Sequence, residues 1–205
     1  MTPTRQPPER PLTEPSERLD RDRLVLATIR LVDQHGVARF TMRMLGEELG
    51  RSAMATYRHV ANKDELIALA ADAVLDEVPI PDTTLGTARE RLRILSRNAY
   101  AQLAAHPWVA PFLLTIRRAT PNTDRLLEAL VTIIAEVEPD RERARQGAGA
   151  IRAYLIGWLA GAGLSPPPIR PVNWHSPRSG LSASAREHFD FGLDAMIVGI
   201  LVSIS

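Results

Sequence analysis

Met54, Tyr57 and Arg58 stand at i, i+3 and i+4, so on a helix their side chains project together. A phenol, a guanidinium and a thioether beyond the small Ala53 suit the major groove of DNA, where base edges present acceptors, donors and thymine methyls. Thr41 and Ser52 can each N-cap a short helix, and helix starts turn free N–H groups and a positive dipole end toward phosphate. Arg43 and Lys63, each in a first helical turn, add cationic phosphate contacts. From Met1 to Lys63 there are eleven basic and eight acidic residues, an excess of +3, whereas the whole chain carries +1. A nucleic-acid surface is therefore a local patch rather than a property of the whole chain.

Those residues need two short helices meeting near a tight turn. Thr41 caps one ending at Leu49, Gly50 stops it, and Ser52 caps the next, Ala53 to Val60, which together make a helix-turn-helix. Leu45, Leu49, Thr56 and Val60 can face the helix behind, Asp20–His35, whose apolar stripe includes Leu24, Ala27, Leu31 and Val32. Gly36 sits where that helix needs a left-handed terminator. Asn62 with Glu65 forms a capping-box variant that opens Lys63–Glu77, which Pro79 and Pro81 end.

The rest of the chain reads as helices over Thr84–Ala105, Trp108–Arg118, Asn122–Glu138, Arg141–Gly163 and Ala183–Ile204. Pro107, Pro121 and Pro139 mark the breaks between them. No sustained alternating strand pattern occurs. The expectation is an all-α fold of about nine helices: a Pro-rich disordered arm over 1–19, a helix-turn-helix domain over 20–80, and a larger helical domain over 81–205. Ser165–Gly180, with five prolines, is expected to be an exposed loop.

Composition narrows the function. The absence of cysteine excludes a disulfide scaffold, thiolate metal sites and thiol catalysis. There is no P-loop, dinucleotide fingerprint, HExxH or nucleophile elbow, and His35, His59, His106, His175 and His188 lack metal-ligand spacing. No enzyme activity, metal or cofactor is expected. The most apolar stretches fall short of the roughly 20 residues a membrane span needs, and no apolar signal segment is visible at the start. A cytoplasmic protein with no membrane partner is expected.

The run Gly36-Val-Ala-Arg-Phe-Thr-Met-Arg-Met-Leu-Gly-Glu-Glu-Leu-Gly50, with Tyr57-Arg-His-Val-Ala-Asn-Lys-Asp-Glu-Leu66 after it, resembles the DNA-binding domain of TetR-family repressors. The likeness spans Leu24 to about Leu69. It implies DNA contacts, mostly to phosphate, from Arg43, Tyr57, His59 and Lys63, and approach to bases by Ala53, Met54, Ala55 and Arg58. Arg51 and Thr56 depart from the family pattern, where a small apolar residue and a Leu are usual. Plainer readings stand beside these roles: Tyr57 as a packed aromatic, His59 as a capping or solvated histidine, Lys63 as a structural lysine, Met54 as an idle exposed side chain.

In the larger part, His106-Pro-Trp108 and Phe189-Asp-Phe-Gly-Leu-Asp194 resemble the tetracycline-repressor branch of that family. This implies a helical domain that dimerises through its last two long helices and encloses an inducer pocket. Small residues in Arg141–Gly163, Gly157 and Gly161 among them, suit close helix approach. With Phe189, Leu193, Met196, Ile197 and Ile200 of the last helix they are the candidates for a four-helix dimer interface. An intrachain core explains the same apolar residues. Tyr100, Leu103, His106, Trp108, Phe112, Leu113, Ile116, Tyr154, Leu155 and Trp158 are the candidates for a mostly apolar pocket, although each also suits plain core and His106 can simply cap a helix. Ile151–Leu164 holds no Asp or Glu, so the magnesium–tetracycline chelation of that branch is not carried over.

The expected function is a ligand-responsive transcriptional regulator. It would bind a near-palindromic double-stranded operator as a homodimer and be released by a small, largely apolar effector. A helical adaptor of the same fold without specific DNA binding is the alternative.

Overall fold

The computed structural model describes residues 15–50, 60–116, 119–161 and 183–202. These contain eight helices and no strand: α1 (Pro15–His35), α2 (Met42–Glu48), α3 (Lys63–Asp76), α4 (Ala88–Ala105), α5 (Val109–Leu113), α6 (Pro121–Ala135), α7 (Arg141–Ala160) and α8 (Ala183–Val202). Residues 51–59, which hold nearly all of the expected Ala53–Val60 helix, lie outside the described residues, as does the expected loop Ser165–Gly180.

Boundaries follow local chemistry. α1 opens at Pro15 rather than at Asp20, because a proline loses nothing at the first helical position, where the N–H has no partner anyway. Gly36 (φ +78) and Gly50 (φ +61) take the left-handed conformation that ends α1 and α2. α4 starts at Ala88 instead of Thr84: Thr87 Oγ1 accepts from Glu90 N–H while the Glu90 carboxylate accepts from Thr87 N–H, a complete capping box. α5 is only five residues long, since Leu114 and Thr115 turn tightly back onto the Pro111 and Phe112 carbonyls.

Two hydrophobic clusters result. One, built on Leu24, Leu31, Phe40, Leu45, Val60, Leu66 and Ile67, welds α1, α2 and the first half of α3. The other gathers Val74, Leu75, Leu92, Leu95, Leu103, Ile134, Ile151, Phe189, Leu193 and Ile197 from α3, α4, α6, α7 and α8. Each such aliphatic, fully buried, contributes about 1.5–3 kcal/mol. α3 therefore belongs to both clusters, as a strut between them. Trp108 and Phe112, at the α4–α5 turn, also pack against both.

Candidate functional site

The helix-turn-helix side is built from short-range contacts. Thr41, in extended backbone, accepts from Met44 N–H at 3.2 Å and so starts α2. Arg43, one residue into the helix, keeps its side chain 86% exposed and pairs at 2.8 Å with Glu47 one turn on. That pair is solvated and can be exchanged for a phosphate. Asn62 Oδ1 caps α3 through Glu65 N–H at 2.8 Å, and the Glu65 carboxylate accepts from Ala61 N–H at 2.7 Å.

Lys63 departs from the free phosphate contact expected of it. Its ammonium turns inward, donating to the carbonyls of Val37 (2.9 Å) and Phe40 (2.7 Å) and lying 5.7 Å from the Phe40 ring centre. The only lysine of the chain thus clamps the α1–α2 turn to the start of α3. Those carbonyls offset the unfavourable position of a cation at a helix N-terminus. One of its three ammonium protons is left over. Ser52, Ala53, Met54, Ala55, Tyr57, Arg58 and His59 lie outside the described residues.

In the larger half, a small cavity of about 60 Å³, partly open to solvent, runs between α3, α4, α5, α6 and α7. Of the expected pocket residues, Leu103, Leu113 and Leu155 line it. Leu126, Leu127 and Leu130 of α6 and Ile151 and Ile156 of α7 supply most of the remaining apolar wall, with Leu75 from α3 and Leu95 and Ala99 from α4. Three lining residues are polar: Ser96, Thr123 and Arg152. The serine had a signal, being a polar residue within the buried Leu92–Leu95–Leu103 stripe of α4. The aliphatic residues had none that distinguishes pocket wall from core.

The other expected pocket residues have different places. Tyr100, Tyr154 and Trp158 gather round Phe189, with ring centres 4.2, 5.5 and 6.1 Å from it, and Tyr154 Oη donates to the Phe189 carbonyl at 3.1 Å. Burial pushes both tyrosine hydroxyls above the usual pKa. His106 and Trp108 face the other way, toward α1. His106 Nδ1 lies 2.9 Å from an Asp33 carboxylate oxygen, and Trp108 Nε1 donates to the same carboxylate at 2.8 Å. Phe112 packs between the two clusters, and Ile116 is half-buried outside the cavity lining.

The residues expected at a dimer interface have different places in the last two helices. Phe189, Leu193 and Ile197 are fully buried within their own chain, and Met196 and Ile200 are half-buried against the same core. The outward face of α8 is instead Phe191 (77% exposed), Ala195, Val198 and Val202 (65%). Two residues along a helix turn the side chain by about 200°, so a stripe begun at Phe189 and one begun at Phe191 lie on opposite faces. On α7, Gly157 is exposed and Gly149 half-buried, both with open space where a Cβ would stand, while Gly161 is half-buried. Ion pairs hold α8 on α4: Arg93 with Asp194, and Arg97 with Asp190 at 2.8 Å. The Arg93 hydrogen bond keeps the Asp194 carboxyl below the usual carboxylate range.

Among the described residues no three His, Asp or Glu side chains converge to hold a metal, and no helix is long and apolar enough to cross a membrane.

In sequence the chain is similar to an HTH-type transcriptional regulator of Saccharopolyspora erythraea, 28% identical over 170 residues, which is 83% of this chain and 69% of that protein. No protein-family model matches it. In fold it is similar to BioQ solved with its natural double-stranded DNA operator, with a TM-score of 0.70 at 23% identity over 89% of this chain and 98% of that one. It is also similar to the TetR family protein ActR of Streptomyces coelicolor in complex with actinorhodin, with a TM-score of 0.71 at 24% identity over 96% and 100% of the two chains.

Proposed function

We propose that the chain is a transcriptional regulator of the TetR family, a ligand-released repressor acting as a homodimer on a near-palindromic operator, a reading supported by its likeness to the Saccharopolyspora regulator in sequence and to ActR in fold. The reading head is Thr41, Arg43, Ser52, Ala53, Met54, Ala55, Tyr57, Arg58 and His59, seated by the Lys63 clamp, whose spare proton also reaches phosphate. The dimer forms on the exposed apolar stripe of α8, Phe191, Ala195, Val198 and Val202, against the Gly149–Ala153–Gly157 face of α7. Such a four-helix interface sets the two heads about 34–36 Å apart, one turn of DNA.

The observation that carries this reading is the junction between cavity and head. Leu103 lines the cavity, and the next turn of the chain brings His106 and Trp108 onto Asp33 of α1. The far wall, Leu75, belongs to α3, whose first residue is the Lys63 clamp. A molecule in the cavity therefore presses on two elements that fix the orientation of the head. It shifts operator binding only by its preference for the released arrangement.

Fluorescence anisotropy on DNA flanking the gene, at two salt concentrations, tests the reading. Sequence-selective binding with a steep salt slope is expected, and Arg43→Ala should lower that slope by about one unit while weakening all sequences alike. Absence of selective binding at low salt would contradict the repressor reading and favour an adaptor of the same fold.

A further inference from the structure

We propose that Asp72 of α3 with Asn122 and Arg125 of α6, at the end of α3 remote from the head, are positioning residues for DNA recognition. They fix the angle of the head on the larger half and so set which half-site spacing the dimer accepts. The proposal rests on the reading of the chain as a dimeric operator-binding protein, and the polar contacts between α3 and α6 carry it.

The two helices cap each other. At the start of α6 the Asn122 N–H, which no carbonyl of its own helix can reach, donates to the Asp72 carboxylate at 2.8 Å. Asn122 Nδ2 donates to the other oxygen of that carboxylate at 3.0 Å and to the Asp72 carbonyl at 3.2 Å. At the end of α3, the Arg125 guanidinium donates to the Leu75 and Asp76 carbonyls at 2.9 and 3.1 Å, while its Nε donates to Asn122 Oδ1 at 2.8 Å. An anion thus stands at the N-terminus of α6 and a cation at the C-terminus of α3, the favourable sign at both. All three side chains are half-buried.

These bonds supply what the neighbouring apolar contacts do not. Ala71, Val74 and Leu75 bury the same stretch of α3 in the larger core. Burial of that kind is non-directional and tolerates a small rotation or tilt of the helix. Hydrogen bonds weaken steeply off line, so the pairings at Asp72 and at the last carbonyls resist both movements. From Asp72 back to Lys63, where α3 clamps the α1–α2 turn, the helix runs about 13.5 Å at about 1.5 Å per residue. A tilt of about 5° at Asp72 therefore moves the Lys63 end by about 1.2 Å. In a two-fold dimer the displacements of the two heads combine, against roughly 3.4 Å between neighbouring base pairs.

Fluorescence anisotropy tests this on the full chain with the DNA fragment that the wild type selects. Two copies of that fragment, one base pair longer and one shorter at the centre, complete the set. Wild type should prefer the native spacing by at least about tenfold. Asn122→Ala and Arg125→Ala should each weaken the native fragment about fivefold while leaving the altered ones nearly unchanged, which brings all three within about threefold. Asp72→Ala combined with Asn122→Ala should be no worse than either alone, because the set acts as a unit. Should Asn122→Ala not fold, Asp72→Asn, which keeps an acceptor for the Asn122 N–H, should still narrow the preference. Partial unfolding alone would lower binding to all three fragments by one factor and keep the preference, and that result would overturn the proposal. A wild type indifferent to spacing would overturn it too. Absence of selective binding by the wild type contradicts the operator reading as well, whereas a preference that survives every variant removes only the positioning role.

Discussion

The head and the cavity domain differ in the reach of the contacts that shape them. Around α2 and the start of α3 most determinants lie within four residues of what they fix: Thr41 and Met44, Arg43 and Glu47, Asn62 and Glu65. In the cavity domain they span the chain, as Arg93 does to Asp194 and His106 to Asp33. A locally determined head can keep its internal shape while its orientation is set from outside, and the long-range contacts are what another molecule can reset. Lys63 is the exception on the head side, joining α3 to carbonyls more than twenty residues back.

The sharpest break in this comparison comes from two phenylalanines two residues apart. Phe189→Ala should cost about 3–5 kcal/mol of chain stability, because it empties a fully buried site ringed by Tyr100, Tyr154 and Trp158. Phe191→Ala should leave the fold intact and weaken the proposed dimer, with urea unfolding reporting the first and sedimentation the second. Lys63→Ala should cost about 2 kcal/mol, since two carbonyls lose a charged donor. An unchanged urea midpoint in that variant would return Lys63 to the role of a simple phosphate contact. Ser96→Ala should instead stabilise the ligand-free protein by about 1 kcal/mol, read as a raised Tm, by removing an unpaired buried hydroxyl.

The smallest effect is a pH dependence. Asp194 has a lowered folded-state pKa, so its stabilisation is complete above the unfolded value near ~3.9. It is lost as pH falls through the lower folded value. Asp194→Asn should therefore be less stable than wild type by a constant margin from neutral pH down to about 4, with the two converging in stronger acid. A margin that already shrinks between pH 7 and 5 would mean that the Arg93 pairing does not set the carboxyl's titration.

The same contrast explains what the sequence made legible. Gly36, Thr41, Gly50 and Asn62 act on their immediate neighbours, so their types and spacing were enough to place α2 and the ends of α1 and α3. Thr87 with Glu90 was an equally local sign, and it sets the start of α4 more tightly than the apolar pattern does. α8 was not legible in this way. Apolar residues occupy both of its faces, and only packing against α4 and α7 decides that Phe189 turns in and Phe191 out. The aromatic residues drew the pocket expectation toward Tyr100, Tyr154 and Trp158, whereas the cavity wall is aliphatic. Nothing near His106 announces that its partner is Asp33, in another helix and another cluster.

The central claim is that filling the cavity and releasing DNA are coupled through the Asp33 junction. A double-mutant cycle on operator affinity tests it without knowledge of the effector, with the Ala99→Trp indole standing in for a bound molecule. Fluorescence anisotropy should show Ala99→Trp weakening operator binding about tenfold in the wild-type background. In the Asp33→Asn background the same substitution should weaken it by less than about threefold. An equal penalty in both backgrounds, or none in either, would contradict the account.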